Sequence, residues 1–211
     1  MTASAPTNTH VSALILAGGK ATRLGGISKH EIVVEGETIF ARQVRVLAPR
    51  VAEIIVAGPT IEGYRNVTDV KEGAGPLAGI AAGLAACRTP WLLVVAGDMP
   101  HISAELIDAL IACVSAPRTG SGTSSQETRD VDAIETIDAV GVRVNGLPEP
   151  LLCVLHTRVL PTVEQALAAG RYKASRILTD DGLWVRWLEA ERPAVRNINS
   201  PEDLRAERGS K

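Results

Sequence analysis

An α/β fold, with a mostly parallel sheet held between layers of helices, is the class this sequence predicts, and three features predict it. Strand-sized apolar runs rich in Val and Ile alternate with segments of helical period, the pattern of βαβ units. A glycine-rich stretch follows the first of those runs directly, where such folds turn from strand to helix. The composition is that of an ordinary globular chain, with 211 residues, 45% hydrophobic, 22% charged and 3% aromatic. It excludes collagen, coiled coil and wholesale disorder.

Residues 1–10, MTASAPTNTH, are small and polar, without the basic and apolar regions of a secretory leader. They are expected to be a disordered tail ahead of one domain spanning 11–211. Val11–Leu16 is the first strand. Phe40, Val44 and Leu47 fall at i, i+4 and i+7 and predict an amphipathic helix ending near Pro49. Ile54–Ala57 is a buried strand. A third unit begins at Val67 and passes through Gly73-Ala-Gly-Pro-Leu-Ala-Gly79 into a helix that carries Gly79, Ala82, Gly83 and Ala86 on one face. That face is nearly bare of side chain, so a strand or ligand can approach it closely. Trp91–Ala96 is the next strand, Gly97-Asp98-Met99-Pro100 lies at its carboxyl end, and Ser103 caps the following helix. Residues 117–127 are Gly, Ser and Thr-rich without apolar period and read as a mobile loop inside the domain. Ala139–Val144 and Leu151–Leu155 are strands with Asn145–Pro150 as the turn between them. Pro161–Ala169 is a helix stopped by Gly170, and Ser200-Pro-Glu-Asp203 opens a short last one.

With 22 Lys and Arg against 24 Asp and Glu, the chain has no bulk positive field for nucleic acid, which is not expected as a partner. Apolar runs such as Trp91–Ala96 fall far short of the roughly 20 residues of a membrane helix, so no membrane association is expected either. Cys87, Cys113 and Cys153 are odd in number, widely spaced and set among apolar residues. They read as reduced core thiols of a cytoplasmic protein. His10, His30, His101 and His156 show no ligand-like spacing and read as structural or solvent-facing.

The densest chemical signal is Leu16-Ala-Gly-Gly-Lys-Ala-Thr-Arg-Leu-Gly-Gly26, with Lys29 close behind. Four glycines allow backbone N–H groups to turn toward an anion, and Arg23 and Lys29 add positive charge, so this is a phosphate-loop candidate. The glycines alone would equally suit an ordinary strand-to-helix turn. The loop fits neither G-x-x-x-x-G-K-[ST] nor G-x-G-x-x-G, which removes the main support for a P-loop kinase or a Rossmann dinucleotide site. Asp98, at the carboxyl end of a central strand, lies where open α/β sheets bind ligands and is a hard oxygen ligand suited to Mg²⁺. By itself it also reads as a turn-forming Asp.

Taken in order, LAGGKATRLGG with Lys29, GAGPLAGI, GDMP and NINSPEDL resemble the molybdenum cofactor guanylyltransferases, the MobA-like branch of the nucleotidyltransferases. The resemblance runs from about Ala13 to Leu204. Its first motif is shared by many nucleotidyltransferases, whereas GPLAG and the asparagine-containing ending narrow it to MobA-like proteins. It implies a Rossmann-like three-layer sandwich of the nucleotide-diphospho-sugar transferase type. The implied reaction is transfer of GMP from Mg–GTP to the terminal phosphate of molybdopterin, with release of pyrophosphate. Carried onto this chain, it puts Leu16, Ala17, Gly18 and Gly19 against the guanine nucleotide and Arg23 and Lys29 on its phosphates. Asp69 and Gly79 would line the nucleotide site, Asp98 would bind magnesium, and Asn197 and Asn199 would lie near the second substrate. Arg171, Lys173 and Arg176 are further candidates for the acceptor's phosphate. Other molybdenum cofactor biosynthesis proteins are implied partners, with a monomer or weak homo-oligomer expected.

An in-line attack of phosphate on phosphate needs alignment and charge neutralisation more than covalent help. The second pKa of a phosphate monoester is about 6, so the nucleophile is already largely dianionic and needs no general base. Two other readings remain open. One is a different nucleotidyltransferase, acting with CTP on molybdopterin or on a sugar 1-phosphate. The other is a non-catalytic nucleotide-binding relative, to which Ser28 points, because the family usually has Asp before the lysine.

Overall fold

The computed structural model describes residues 10–18, 29–70, 73–115, 137–180, 182–195, 197–198 and 203. Its strands are β1 (Val11–Leu16), β2 (Val33–Val34), β3 (Glu37–Thr38), β4 (Ile54–Ala57), β5 (Arg65–Val67), β6 (Trp91–Ala96), β7 (Ala139–Val144), β8 (Leu147–His156) and β9 (Val185–Glu189). Its α-helices are α1 (Ile39–Leu47), α2 (Pro76–Ala86), α3 (Ala104–Ser115), α4 (Leu160–Ala168) and α5 (Ala174–Thr179).

Seven strands form one sheet in the order β5-β4-β1-β6-β8-β7-β9, and β2 and β3 form a separate hairpin. All the pairs in the large sheet except those made by β8 are parallel, so β8 alone runs against the others. The mostly parallel α/β sheet predicted from the alternating runs is the one observed. β1 and β4 are buried along their whole length, which is why they do not alternate apolar with polar residues; the one polar residue, Ser12 of β1, is hydrogen-bonded to Thr89 Oγ1 at 2.8 Å. One face of the sheet packs Leu47 of α1 and Leu106, Ile107 and Leu110 of α3. The other packs Leu77, Ile80 and Leu84 of α2, Val163 and Leu167 of α4, and Ile177 and Leu178 of α5.

The bare face of α2 is used as expected for close approach. A Cβ on Gly83 would lie 2.5 Å from Leu14 Cδ2, so with any other residue there the buried Leu14 side chain or the helix would have to shift. Ser103 caps α3, its Oγ accepting the Leu106 N–H at 3.2 Å. Gly170, with φ +72°, ends α4 in the left-handed conformation.

Several boundaries differ from the sequence expectation. In α1 the fully buried stripe is Ile39, Gln43 and Leu47, while Phe40 and Val44 are half-buried at its flank. Thr38 starts the helix by accepting the Ala41 N–H at 3.1 Å, and this sets the rotation. The predicted six-residue turn is only Asn145-Gly146, both at positive φ, the geometry that joins strands in two residues. Leu147–Pro150 therefore belongs to β8. The β2–β3 hairpin turns in the same way at Glu35-Gly36. β5 starts at Arg65, two residues before the predicted Val67. The 117–127 loop lies outside the described residues, as does the final helix except for residue 203.

Cys87, Cys113 and Cys153 are free thiols, and burial pushes Cys153 up to about 12, which makes it unreactive at neutral pH. None of the described helices is long and apolar enough to cross a membrane. His156 stands edge-on to Trp91 with ring centroids 4.8 Å apart, and its Nδ1 accepts the Arg158 N–H at 3.1 Å. Burial first, then the Arg158 charge, holds its pKa below the ordinary value. The unfolded chain therefore binds this proton more tightly than the folded one, and stability falls as pH drops from about 6.5 toward the depressed folded value. Urea titrations at pH 7.5 and 5.5 should show His156→Gln losing less stability on acidification than wild type.

Candidate active site

β1, β4 and β5 are laid down in one direction across the sheet, and the chain then returns to place β6 on the other side of β1. That reversal opens a crevice outside the carboxyl ends of β1 and β6, the position at which open α/β sheets bind ligands.

Backbone bonds fix those ends side by side. Gly18 N–H donates to the Ala57 carbonyl at 3.0 Å, Gly58 N–H to the Val67 carbonyl at 3.3 Å, and Gly97 N–H to the Leu16 carbonyl at 3.1 Å. The packing between them is too tight for side chains. A Cβ on Gly58 would lie 2.4 Å from Gly18 N, and one on Gly97 would lie 2.6 Å from the Leu16 carbonyl oxygen. A Cβ on Gly79 would meet Leu16 Cδ2 at 3.1 Å, Ala57 Cβ at 3.2 Å and Asp69 Oδ1 at 3.3 Å. Leu16, Ala17, Gly18, Asp69, Gly79 and Asp98, drawn from widely separated parts of the sequence, therefore gather at one edge of the sheet. The Leu16 side chain is buried toward α2, whereas Gly18 is exposed. The N-terminus of α2 opens with Gly75 and Pro76 and has no side-chain cap, leaving the positive end of its dipole at this edge. The exposed Asp69 carboxyl is pushed above its usual range by the desolvation that remains.

Asp98 is 7% exposed, two residues past the end of β6. Its turn is held from both sides. Ile198 N–H donates to the Asp98 carbonyl at 2.9 Å, bringing neighbouring Asn197 to the site. Gln43, fully buried on α1, donates from Nε2 to the carbonyls of Ala96 at 2.8 Å and Met99 at 3.1 Å. Gln43→Leu would leave the Met99 carbonyl without that donor and the Ala96 carbonyl with a weak 3.4 Å bond from Met99 N–H. A loss of about 1–3 kcal/mol in urea unfolding is the expected result.

Glu149, on β8, joins this group, and its carboxyl is held above the usual range by burial and then by the Asp98 charge. Sequence reasoning missed Gln43, Gly58, Gly97 and Glu149. A lone glutamine in the apolar stripe of α1 was the available signal for the first. Gly19, Arg23 and Asn199 lie outside the described residues, as does the Lys29 side chain, although the Lys29 backbone opens a short 3-10 turn, Lys29–Glu31. Arg171, Lys173 and Arg176 fall at the end of α4 and around α5.

The model of the MobA-like NTP transferase domain matches residues 13–185. The chain belongs to the MobA-like NTP transferase family. Among curated relatives, a molybdenum cofactor guanylyltransferase of Pseudomonas putida strain F1 is 34% identical over 201 residues, covering 92% of this chain and 95% of that one. One from Pseudomonas fluorescens strain SBW25 is 31% identical over 205 residues, covering 94% of each. Two solved structures share this fold. Molybdopterin-guanine dinucleotide biosynthesis protein A of Archaeoglobus fulgidus has a TM-score of 0.69 at 21% identity, over 93% of this chain and 96% of that one. The 2-C-methyl-D-erythritol 4-phosphate cytidylyltransferase of Thermus thermophilus has a TM-score of 0.66 at 20% identity, over 94% and 97%.

Proposed function

We infer that this protein is a guanylyltransferase that moves GMP from GTP to the terminal phosphate of molybdopterin and releases pyrophosphate. The observation that carries the reading is its match, along nearly the whole chain, to relatives named molybdenum cofactor guanylyltransferase. The crevice at β1 and β6 is where the nucleotide lies in this reading. Ala17 and Gly18 approach it through backbone, Gly79 and Asp69 border it, and in this reading Gly19, Arg23 and Lys29 are assigned to the nucleotide, the last two to its phosphates. Asn197 and Asn199 lie toward the acceptor, with Arg171, Lys173 and Arg176 as further charge for the acceptor's phosphate. The acceptor phosphate attacks in line as its dianion, so alignment and charge neutralisation are what the chain supplies.

The donor set fits Mg²⁺. Asp98 is a buried, hard oxygen donor at the strand end. Among the described residues no three or more His, Cys, Asp or Glu side chains gather as a metal centre. Mg²⁺ does not require one, because it is bound through one or two carboxylates together with substrate phosphates and water. When bound, the ion would neutralise triphosphate charge as it shifts toward the leaving pyrophosphate.

Thermal protection tests the base preference. GTP with Mg²⁺ at 100 times its Kd should stabilise the fold by about 2.7 kcal/mol, a rise of roughly 5–10 °C in Tm. CTP, ATP and UTP at the same concentration should give much smaller shifts. Equal protection by CTP would favour a different nucleotidyltransferase.

A further inference from the structure

Asn197 is brought to the Asp98 turn by its neighbour. Ile198 N–H donates to the Asp98 carbonyl at 2.9 Å, and the Ile198 side chain is fully buried. It shares a small apolar cluster with Ile32, Val34 and Ile39, separate from the two layers that flank the large sheet. Ile32 follows the Lys29–Glu31 turn directly, and its carbonyl accepts the Ile39 N–H at 2.9 Å where α1 begins. One turn further along α1, Gln43 holds the carbonyls of Ala96 and Met99, which flank Asp98. Both braces of the Asp98 turn, Ile198 through Ile39 and Gln43 directly, therefore stand on the same helix.

We propose that Ile198 is a positioning residue for the acceptor: its side chain is the seat that keeps Asn197 against the Asp98 turn. The proposal rests on the guanylyltransferase reading, in which Asn197 lies toward molybdopterin. The Asn197 side-chain oxygen does not tie the residue down, because Oδ1 is buried without a hydrogen-bond partner among the described residues. A buried acceptor left unpaired is costly, so this oxygen suits a donor group of the second substrate. A single backbone hydrogen bond is a modest tether, whereas a fully buried isoleucine side chain is a large local contribution, which places the seat in the side chain. The Asp98 turn has its own support from Gln43. Loss of the seat should therefore release Asn197 and leave Asp98 in place.

Ile198→Ala in the full-length protein removes the seat and keeps the backbone donor. Protection of the residue 198 amide against hydrogen exchange, followed by NMR, should fall at least about tenfold, because that amide is released whenever the segment lifts from Asp98. kcat/KM for molybdopterin should fall about 10–100-fold, while the Kd for Mg–GTP without acceptor changes little. Ile198→Val keeps the branched shape and should recover most of both losses, and it also serves if the alanine variant melts early. Leu110→Ala, in the main core and equally buried, controls for lost stability and should leave both readouts near wild type. Wild-type protection of residue 198 in Ile198→Ala would overturn the seat, whether or not the reaction is the assigned one. Lower protection with an unchanged kcat/KM for molybdopterin, or an equal loss in Leu110→Ala, would overturn the acceptor role. If wild type releases no pyrophosphate from GTP with molybdopterin, the guanylyltransferase reading falls and the acceptor role falls with it.

Discussion

Asp98→Asn should lower kcat for pyrophosphate release by about 10²–10³-fold, the range in which single charge-stabilising groups of active sites fall. The substitution keeps size and shape at a position that is 7% exposed, and the bond from Ile198 N–H is made to the backbone carbonyl, which remains. Tm should therefore change little, and the loss should read as chemistry rather than unfolding. A second readout belongs to the same residue. The Asp98 charge helps hold Glu149 above the ordinary carboxylate range, so in Asp98→Asn the Glu149 pKa should move back down. Carboxyl chemical shifts followed through a pH titration would report it. An Asp98→Asn enzyme with wild-type turnover would place the reacting phosphates elsewhere.

The largest structural effect is expected at Gly58→Ala. Gly58 adopts φ +124°, a backbone conformation that residues with a side chain rarely enter, and the added Cβ would sit 2.4 Å from the backbone nitrogen of Gly18. Neither strand end can yield easily, because Gly18 N–H is bonded to the Ala57 carbonyl and Gly58 N–H to the Val67 carbonyl. Backbone strain and overpacking together should cost about 3 kcal/mol or more, a fall of roughly 6–12 °C in Tm. The carboxyl ends of β1 and β4 would also be forced apart, so GTP should protect the variant less than wild type. Gly63→Ala is the control. It has φ +85° but nothing within 4 Å of the added Cβ, so only the conformational cost of about 1–2 kcal/mol is expected.

The part of the fold legible in the sequence is the part buried on both faces. β4 and β6 are unbroken apolar runs and β1 is interrupted only by Ser12, and all three start and stop where the sequence predicts. The poorly legible elements are short or lie at sheet edges. Arg65-Asn66 opens β5 with no apolar signal, β9 carries Arg and Glu among its apolar residues, and α5 is only six residues long. In β8, two prolines and a glutamate hide a strand whose turn needs only Asn145-Gly146.

The site divides in the same way. Positions carried by local motifs, namely Leu16 to Gly18, Gly79 and Asp98, meet at one edge as the motif order implies. Gln43 acts on carbonyls 53 and 56 residues away, and Glu149 of β8 comes under the charge of Asp98 from a distant part of the sequence. Neither relation has a local sequence signature, because each arises only when the sheet closes.

Pyrophosphate release from purified protein given molybdopterin, Mg²⁺ and each of GTP, CTP, ATP and UTP tests the assigned reaction most directly. Release with GTP alone, dependent on molybdopterin and lost in Asp98→Asn, is the expected result and would show that Ser28 supports turnover. Release with CTP or UTP in place of GTP, or GTP binding without any release, would contradict it.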